Sequence, residues 1–251
     1  MSNHLSLRSG NPVLKANTFI QRQTTIDTGT MTITGTVNKT ALGLLLLMTT
    51  AIFTWNMAPT DPRMSALMMV GIFGGLIAAI ITVFKRHLAP YTTPIYALLE
   101  GLALGGISRF FETLYPGIVN QAVFLTFGTL AALLFAYQSG LIKPTENFKL
   151  GIVAATGGIF FVYIISFILG LFGVQIPLIH SNSNFGILFS FGVVVIAALN
   201  LVLDFDFIEE GAEKGVPKYM EWYGAFGHLV TLIWLYLEIL RLLAKLYSRR
   251  S

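Results

Sequence analysis

Long apolar runs without any charged residue dominate this sequence. The longest extends from Leu150 through Leu203 without a single Asp, Glu, Lys or Arg. A helix needs about 20 apolar residues to cross the roughly 30 Å hydrocarbon layer of a bilayer, so this run is too long for one span. Charged residues make up only 11% of the 251 residues, whereas soluble domains contain about 25%. The composition predicts a polytopic membrane protein and excludes a soluble enzyme and a disordered regulator.

Short polar breaks divide the apolar part of the chain into seven candidate membrane-spanning helices. Proline and glycine mark these breaks, because they interrupt helices and favour turns. The predicted spans are Ala41–Thr60, Met64–Phe84, Leu88–Ser108, Ile118–Tyr137, Leu150–Gly173, Phe185–Asp206 and Gly227–Tyr247. Six spans followed by a re-entrant last segment is the alternative. We expect an all-α bundle in residues 40–251, preceded by a polar N-terminal tail in residues 1–39.

Small residues recur within these spans at the spacing of helix contacts. The pairs are Gly71 with Gly75, Gly101 with Gly105, and Ala154 with Gly158. Such pairs let helix backbones approach closely in lipid, where packing drives association. We therefore expect close helix contacts at all three pairs.

Basic residues predict the orientation of the chain, because Lys and Arg concentrate in cytoplasmic loops. With the N-terminus inside, the inner loops hold Lys85, Arg86, Lys143, Lys149, Lys214 and Lys218. The outer loops hold only Arg63 and Arg109. This distribution favours a cytoplasmic N-terminus, although seven spans would leave the basic C-terminal residues outside.

Four acidic residues lie inside apolar runs or at their inner margins: Glu100, Asp204, Asp206 and Glu238. An ionised group in hydrocarbon is costly, so such residues tend to face a bundle interior or a wet cavity. Among these acids, only Glu238 has a basic residue one turn away, Arg241. A buried carboxylate without a cation must take up a proton or attract a mobile cation. The pattern therefore indicates a pH sensor or an ion path.

The spacing of these residues suggests which of them could meet. If the last span begins at Gly227, Glu238 reaches a depth at which contact with Asp204 is possible. Asn200 shares a face of the sixth span with Asp204, whereas Asp206 points elsewhere and is expected at the membrane boundary. A salt bridge to Arg241 is the alternative for Glu238. For Glu100, a protonated acid bonded to a neighbouring helix is the alternative to a place in the ion path.

The sequence contains no recognisable catalytic motif. It has no cysteine, no Gly-rich phosphate loop and no His-Glu-x-x-His zinc pattern. We expect no enzyme activity, no cofactor, no tight metal site and no nucleic-acid partner. His228, at the start of the last span, is interpreted as interfacial.

Three sequence segments resemble the Bax inhibitor-1 family, also called transmembrane Bax-inhibitor-motif proteins. They are Asn200-Leu-Val-Leu-Asp-Phe-Asp-Phe-Ile-Glu209 with Tyr219-Met-Glu-Trp-Tyr, Leu235-Tyr-Leu-Glu-Ile-Leu, and Tyr96-Ala-Leu-Leu-Glu-Gly-Leu-Ala-Leu-Gly105. The last is similar to the bacterial YccA-like branch. The resemblance implies seven helices with the last one central, in a bacterial inner membrane. It also implies a pH-sensitive calcium leak governed by acidic residues on helices six and seven. Asp204 matches the first of these, and Glu238 stands where the family has an aspartate.

The leading hypothesis is a calcium leak gated by protonation of Asp204 and Glu238. Glu100, Asn200, Asp206 and Arg241 are candidates for the ion pathway. Calcium prefers six to eight oxygen ligands, so this sparse set predicts only transient binding near Asp204 and Glu238. The alternative is a membrane interaction protein that modulates a membrane-anchored protease without transport activity. The lipid bilayer is a partner in either case.

Overall fold

The computed structural model describes residues 29–58, 60–173, 181 and 183–250. Within these residues the chain forms seven α-helices. They are α1 (Ile33–Trp55), α2 (Pro62–Phe84), α3 (Ala89–Leu114), α4 (Ile118–Gln138), α5 (Glu146–Leu171), α6 (Asn184–Glu213) and α7 (Met220–Arg250). The first 28 residues of the predicted tail lie outside the described residues, as do Pro177 and Asn182 of the predicted turn between the fifth and sixth spans.

The first helix begins earlier than the apolar pattern predicts. Thr32 caps α1, and its hydroxyl oxygen accepts a hydrogen bond from the backbone N–H of Gly35 at 3.0 Å. This is the usual role of a threonine at a helix N-terminus. Met31 is buried, and its N–H donates to the carbonyl of Val216 at 2.8 Å. The segment 29–39, assigned from sequence to the polar tail, is thus packed on the helix bundle.

The last helix also differs from its predicted form. The sequence predicts a last span that begins only at Gly227. Instead, α7 is one helix from Met220 to Arg250, about 46 Å long at 1.5 Å per residue. A re-entrant segment has to reverse direction, and the described residues of α7 contain no such break.

Five helices, α1, α2, α4, α5 and α6, are long and apolar enough to cross a membrane. The chain is therefore an integral, multi-pass membrane protein. Side-chain contacts show that consecutive helices alternate in direction. Lys39, Thr93, Tyr137, Lys149 and Glu221 all take part in contacts at one end, which we call the proximal end. The contact of Gln121 with Tyr247 and that of Asn184 with Arg249 lie at the opposite, distal end.

Helix α7 occupies the centre of the bundle, where it packs against α1, α3, α4 and α6. Leu229, Leu235 and Leu240 of this helix are fully buried. By contrast, α5 contributes a single buried residue, Ile152. The position of α7 agrees with the expectation of a central last helix.

Candidate functional site

A row of polar contacts holds α5 against α6 and α7. Three side chains of α5, Lys149, Thr156 and Tyr163, recur every seven residues and therefore lie on one face of the helix, two turns apart. Each contacts a polar side chain of α6 or α7. The partners are Asp206, Asn200 and Glu238, respectively. We call these six residues the polar ladder.

The two contacts nearest the proximal end involve α6. Lys149 Nζ lies 2.6 Å from Asp206 Oδ2, so Asp206 is paired with a lysine of α5 two turns before α6 ends at Glu213. Asn200 Nδ2 donates to the hydroxyl oxygen of Thr156 and to the carbonyl of Ile196, both at 2.8 Å. These bonds satisfy the amide inside an apolar layer, where an unpaired donor would be costly.

The distal contact of the polar ladder is a three-residue cluster. The Tyr163 hydroxyl donates to Glu238 Oε1 at 3.0 Å, and Arg241 Nη1 donates to the same oxygen at 2.9 Å. Arg241 also donates to the Tyr163 oxygen at 2.8 Å and packs over its ring. Glu238 is only 2% exposed, and its Oε2 is buried without a hydrogen bond. The alternative that sequence left open for Glu238, a salt bridge to Arg241, is thus present in the structure.

Asp204 lies one turn after Asn200 on α6 and contacts a histidine of α7. Its Oδ2 is 3.4 Å from His228 Nδ1, and both atoms are buried without a hydrogen bond. The ring of Phe205 lies 5.5 Å from the His228 ring. His228, expected to be interfacial, is therefore a buried partner of the acidic residue singled out by sequence.

The structure does not bring Asp204 and Glu238 together. Asp204 contacts His228, and ten residues of continuous helix separate His228 from Glu238, or about 15 Å. The possible contact depended on a last span that begins at Gly227. Because α7 begins at Met220, Glu238 lies about 27 Å along the helix instead.

Two cavities flank α7 between α1 and α4. The proximal one, of about 880 Å³, is lined by His228, Asp206, Glu209 and Lys143 among mostly apolar residues. The second, of about 240 Å³, lies further toward the distal end and is almost entirely apolar, with Leu44 lining both. The surface between the polar proximal cavity and the distal end is therefore lined mostly by apolar side chains.

Glu100 lies apart from the polar ladder. It projects from α3 toward α2, where a Cβ atom on Gly75 would be 2.6 Å from its Oε2. It is not among the residues that line either of the two cavities flanking α7. The structure therefore separates Glu100 from Asn200, Asp206 and Arg241, the other pathway candidates.

A cluster of Glu221, Thr32, Lys39 and Lys218, which the sequence did not predict, joins α1 and α7 at the proximal end. We call it the Glu221 cluster. Glu221 is fully buried and accepts hydrogen bonds from the backbone N–H and the hydroxyl of Thr32 at 2.9 and 2.8 Å. Lys218 lies 2.7 Å from its Oε1, and Lys39 pairs with its Oε2. A side chain on Gly35 would overlap the carboxylate. No sequence pattern links Glu221 to Lys39, since 182 residues separate them.

Among the described residues, no group of three or more His, Asp or Glu side chains could hold a metal ion. Neither the curated proteins nor the solved structures contain a match to this chain. A sequence profile of the family described as "Bax inhibitor 1 like" matches residues 11–248, which is nearly the whole chain. The protein therefore belongs to the Bax inhibitor 1 like family.

Proposed function

We propose that this protein is a passive, pH-sensitive leak for cations, including calcium, of the YccA-like branch. In this proposal all seven helices cross a bacterial inner membrane, and the proximal end faces the cytoplasm. The polar ladder is the observation that carries the proposal. It places oxygen-bearing side chains at three levels between α5 and its neighbours, over about 21 Å of helix length.

The polar ladder offers what a weak cation path requires. Carboxylate, amide and hydroxyl oxygens are ligands that calcium accepts, and their small number suits transient rather than tight binding. Helix α5 buries only Ile152, so few apolar contacts oppose its separation from α6 and α7. The cluster of Tyr163, Glu238 and Arg241 closes the distal level of the path in the present conformation. The function requires no catalytic residue and no cofactor.

We assign the pH response to the pair of Asp204 and His228. Histidine is the side chain that most readily gains a proton near physiological pH. Two opposite charges 3.4 Å apart attract each other by roughly 5 kcal/mol at an effective dielectric of 20, before the cost of desolvation. Reversing a closed-to-open ratio from 1:99 to 99:1 takes about 5.5 kcal/mol. A charge on His228 would therefore strengthen the contact between α6 and α7, the two helices on which α5 packs, so we expect the leak to depend on pH.

Calcium flux into proteoliposomes, measured between acid and alkaline pH, tests this function. We expect flux in the wild type that changes with pH, a flattened pH profile for His228→Gln and Asp204→Asn, and altered flux for Glu238→Gln. Glu213→Gln is the matched control, because Glu213 is exposed at the last residue of α6, outside the polar ladder. Wild-type proteoliposomes that conduct no cation, or pH profiles that the His228 and Asp204 variants leave unchanged, would contradict the proposal.

The alternative, modulation of a membrane-anchored protease, has one supporting observation. The segment 29–39 is fixed to the proximal end of the bundle through Glu221, so the junction between the tail and the bundle lies at that end. Removing residues 2–28 keeps Thr32 and Lys39. If this deletion retains calcium flux but abolishes an effect on protease activity in co-reconstituted membranes, the tail carries a separate interaction function.

A further inference from the structure

Glu100 is an acidic residue near the middle of α3. Eleven residues separate it from Ala89 at the start of the helix, and 14 separate it from Leu114 at the end, or about 16 and 21 Å. It therefore lies deep in the apolar layer. The proposed leak along the polar ladder makes no use of it.

The carboxyl group of Glu100 rests directly on the backbone of α2. A Cβ on Gly75 would approach Glu100 Oε2 to 2.6 Å, and a Cβ on Gly71 would approach the carbonyl oxygen of Leu99 to the same distance. Glycine at both positions brings the two helices into close contact. No room remains at Gly75 for a shell of water between the carboxyl group and α2.

No cation or hydrogen-bond donor balances this carboxyl group. Among the described residues Glu100 has no hydrogen bond and no ion pair, and the nearby titratable group is Tyr96, one turn earlier on α3. Arg63, in the first turn of α2, is twelve residues from Gly75, or about 18 Å. Arg109 of α3 packs over Trp55 at the distal end.

The charged groups of the other helices that pack on α3 have partners elsewhere. Lys39 of α1 is paired with Glu221 of α7, His228 contacts Asp204, Glu238 is paired with Arg241, and Lys245 bonds to Gly186 and Ser190. An isolated carboxylate in such a medium is far less stable than the neutral acid.

We propose that Glu100 is a proton-binding site at the interface of α2 and α3 and that it reacts with lipid-soluble carbodiimides. This site is distinct from the pair of Asp204 and His228. The bound proton lets the carboxyl group remain against Gly75 without a counterion. The half-buried position of Glu100 leaves the acid accessible from the lipid.

The reaction with a carbodiimide reports the neutral acid directly. The acid proton moves to one nitrogen of the reagent, and the carboxyl oxygen adds to the central carbon to give an O-acylisourea. The acyl group then moves from that oxygen to the other nitrogen, which yields a stable N-acylurea. Nothing is oxidised or reduced and nothing leaves, so the protein gains the mass of one reagent molecule.

The test is to treat the full chain in lipid nanodiscs with N,N′-dicyclohexylcarbodiimide at neutral pH and to locate the label by peptide mass spectrometry. We expect the label at Glu100, its loss in Glu100→Gln, and a decline as the pH is raised until Glu100 ionises. Two acids of the same chain serve as controls. Glu238 is equally deep but paired with Arg241, and Glu146 is exposed, so both stay unlabelled.

An unlabelled Glu100 in the folded wild type, or labelling of Glu238 to the same extent, would overturn the proposal. Because the readout is a covalent mass on the wild-type chain, it does not depend on the folding of a variant or on ion flux. A protein that conducts no calcium can still carry this site.

Discussion

Helices α1 to α3 and helix α5 are attached to the bundle by opposite means. Glycine brings α3 against its neighbours, and a side chain at Gly101 or Gly105 would overlap backbone atoms of α1. In α5, added Cβ atoms on Gly157 and Gly158 would meet nothing within 4 Å. The first region is held by close packing and the second by the polar ladder.

This difference indicates which region moves. Backbone contact through glycine leaves no freedom for displacement, because a packed interface is bistable rather than continuously deformable. Hydrogen bonds such as those of Thr156 and Tyr163 can be exchanged for bonds to water or to a passing ion. The contrast predicts a rigid α1–α2–α3 unit and a mobile α5.

The largest expected effect on stability comes from a methyl group added between α3 and α1, compared with the same addition on α5. Gly101→Ala places a Cβ against Leu47 O and Thr50 Oγ1, and we expect it to cost about 3 kcal/mol, at the upper end for overpacking. Gly157→Ala is the matched control, with unchanged stability or a gain of up to about 1 kcal/mol from helix propensity. Unfolding by dodecyl sulfate, followed by tryptophan fluorescence, measures both. Equal losses in the two variants would remove the contrast between the regions.

The next effect concerns the Glu221 cluster, which fastens the segment 29–39 to α7. Burial by itself raises the pKa of the Glu221 carboxyl group, but hydrogen bonds from Lys218, Lys39 and Thr32 outweigh it and lower this pKa from 4.5 to about 2. Replacing Glu221 by Gln leaves two lysines without a carboxylate, at a cost of about 2 kcal/mol, less than for a fully buried pair. The lysines are partly exposed, so the cost should not exceed this figure.

The same cluster predicts a pH dependence with a definite sign. A carboxyl group whose pKa is lower in the folded state stabilises the fold above its unfolded pKa, and this contribution is lost as protons bind. Wild-type unfolding free energy should therefore fall as the pH drops from about 4.5 toward about 2. Glu221→Gln should lack that part of the decline, and parallel pH curves for the two proteins would argue against the assignment.

The smallest effect on stability is expected in the polar ladder. Tyr163→Phe removes one hydrogen bond to Glu238 and one from Arg241, and it should cost only about 1 kcal/mol. It should nevertheless raise calcium flux, because it loosens the distal contact between α5 and α7. Tyr91→Phe is the control, since Tyr91 is 71% exposed. A variant that loses several kcal/mol without any change in flux would make the ladder a purely structural feature.

The sequence predicted the helices well because span length and turn residues are local properties. The breaks at Pro116, Gly140 and Gly215 are confirmed by the helix ends. Close contact at Gly101 and Gly105 is also confirmed, whereas the expected contact at Gly158 is wrong. Spacing alone does not show whether a small residue faces a helix or the lipid.

The polar contacts were harder to predict because their partners are distant in sequence. Asp206 and Arg241 were recognised as polar residues, but Lys149 and Tyr163 were not identified as their partners. The seven-residue recurrence of Lys149, Thr156 and Tyr163 is a signal that could have revealed the ladder. A contact between Asp204 and Glu238 was possible only if the last span began at Gly227. Because α7 begins at Met220, the two residues are separated.

The central position of α7 has a consequence for how the protein is made. Chains enter the membrane from the N-terminus during synthesis, so the helix that fills the middle of the bundle emerges from the ribosome after the other six described helices. Until then α1, α3, α4 and α6 lack the surface on which they pack, and Thr32 and Lys39 lack Glu221. This bundle is therefore completed only when α7 inserts among helices that entered the bilayer before it.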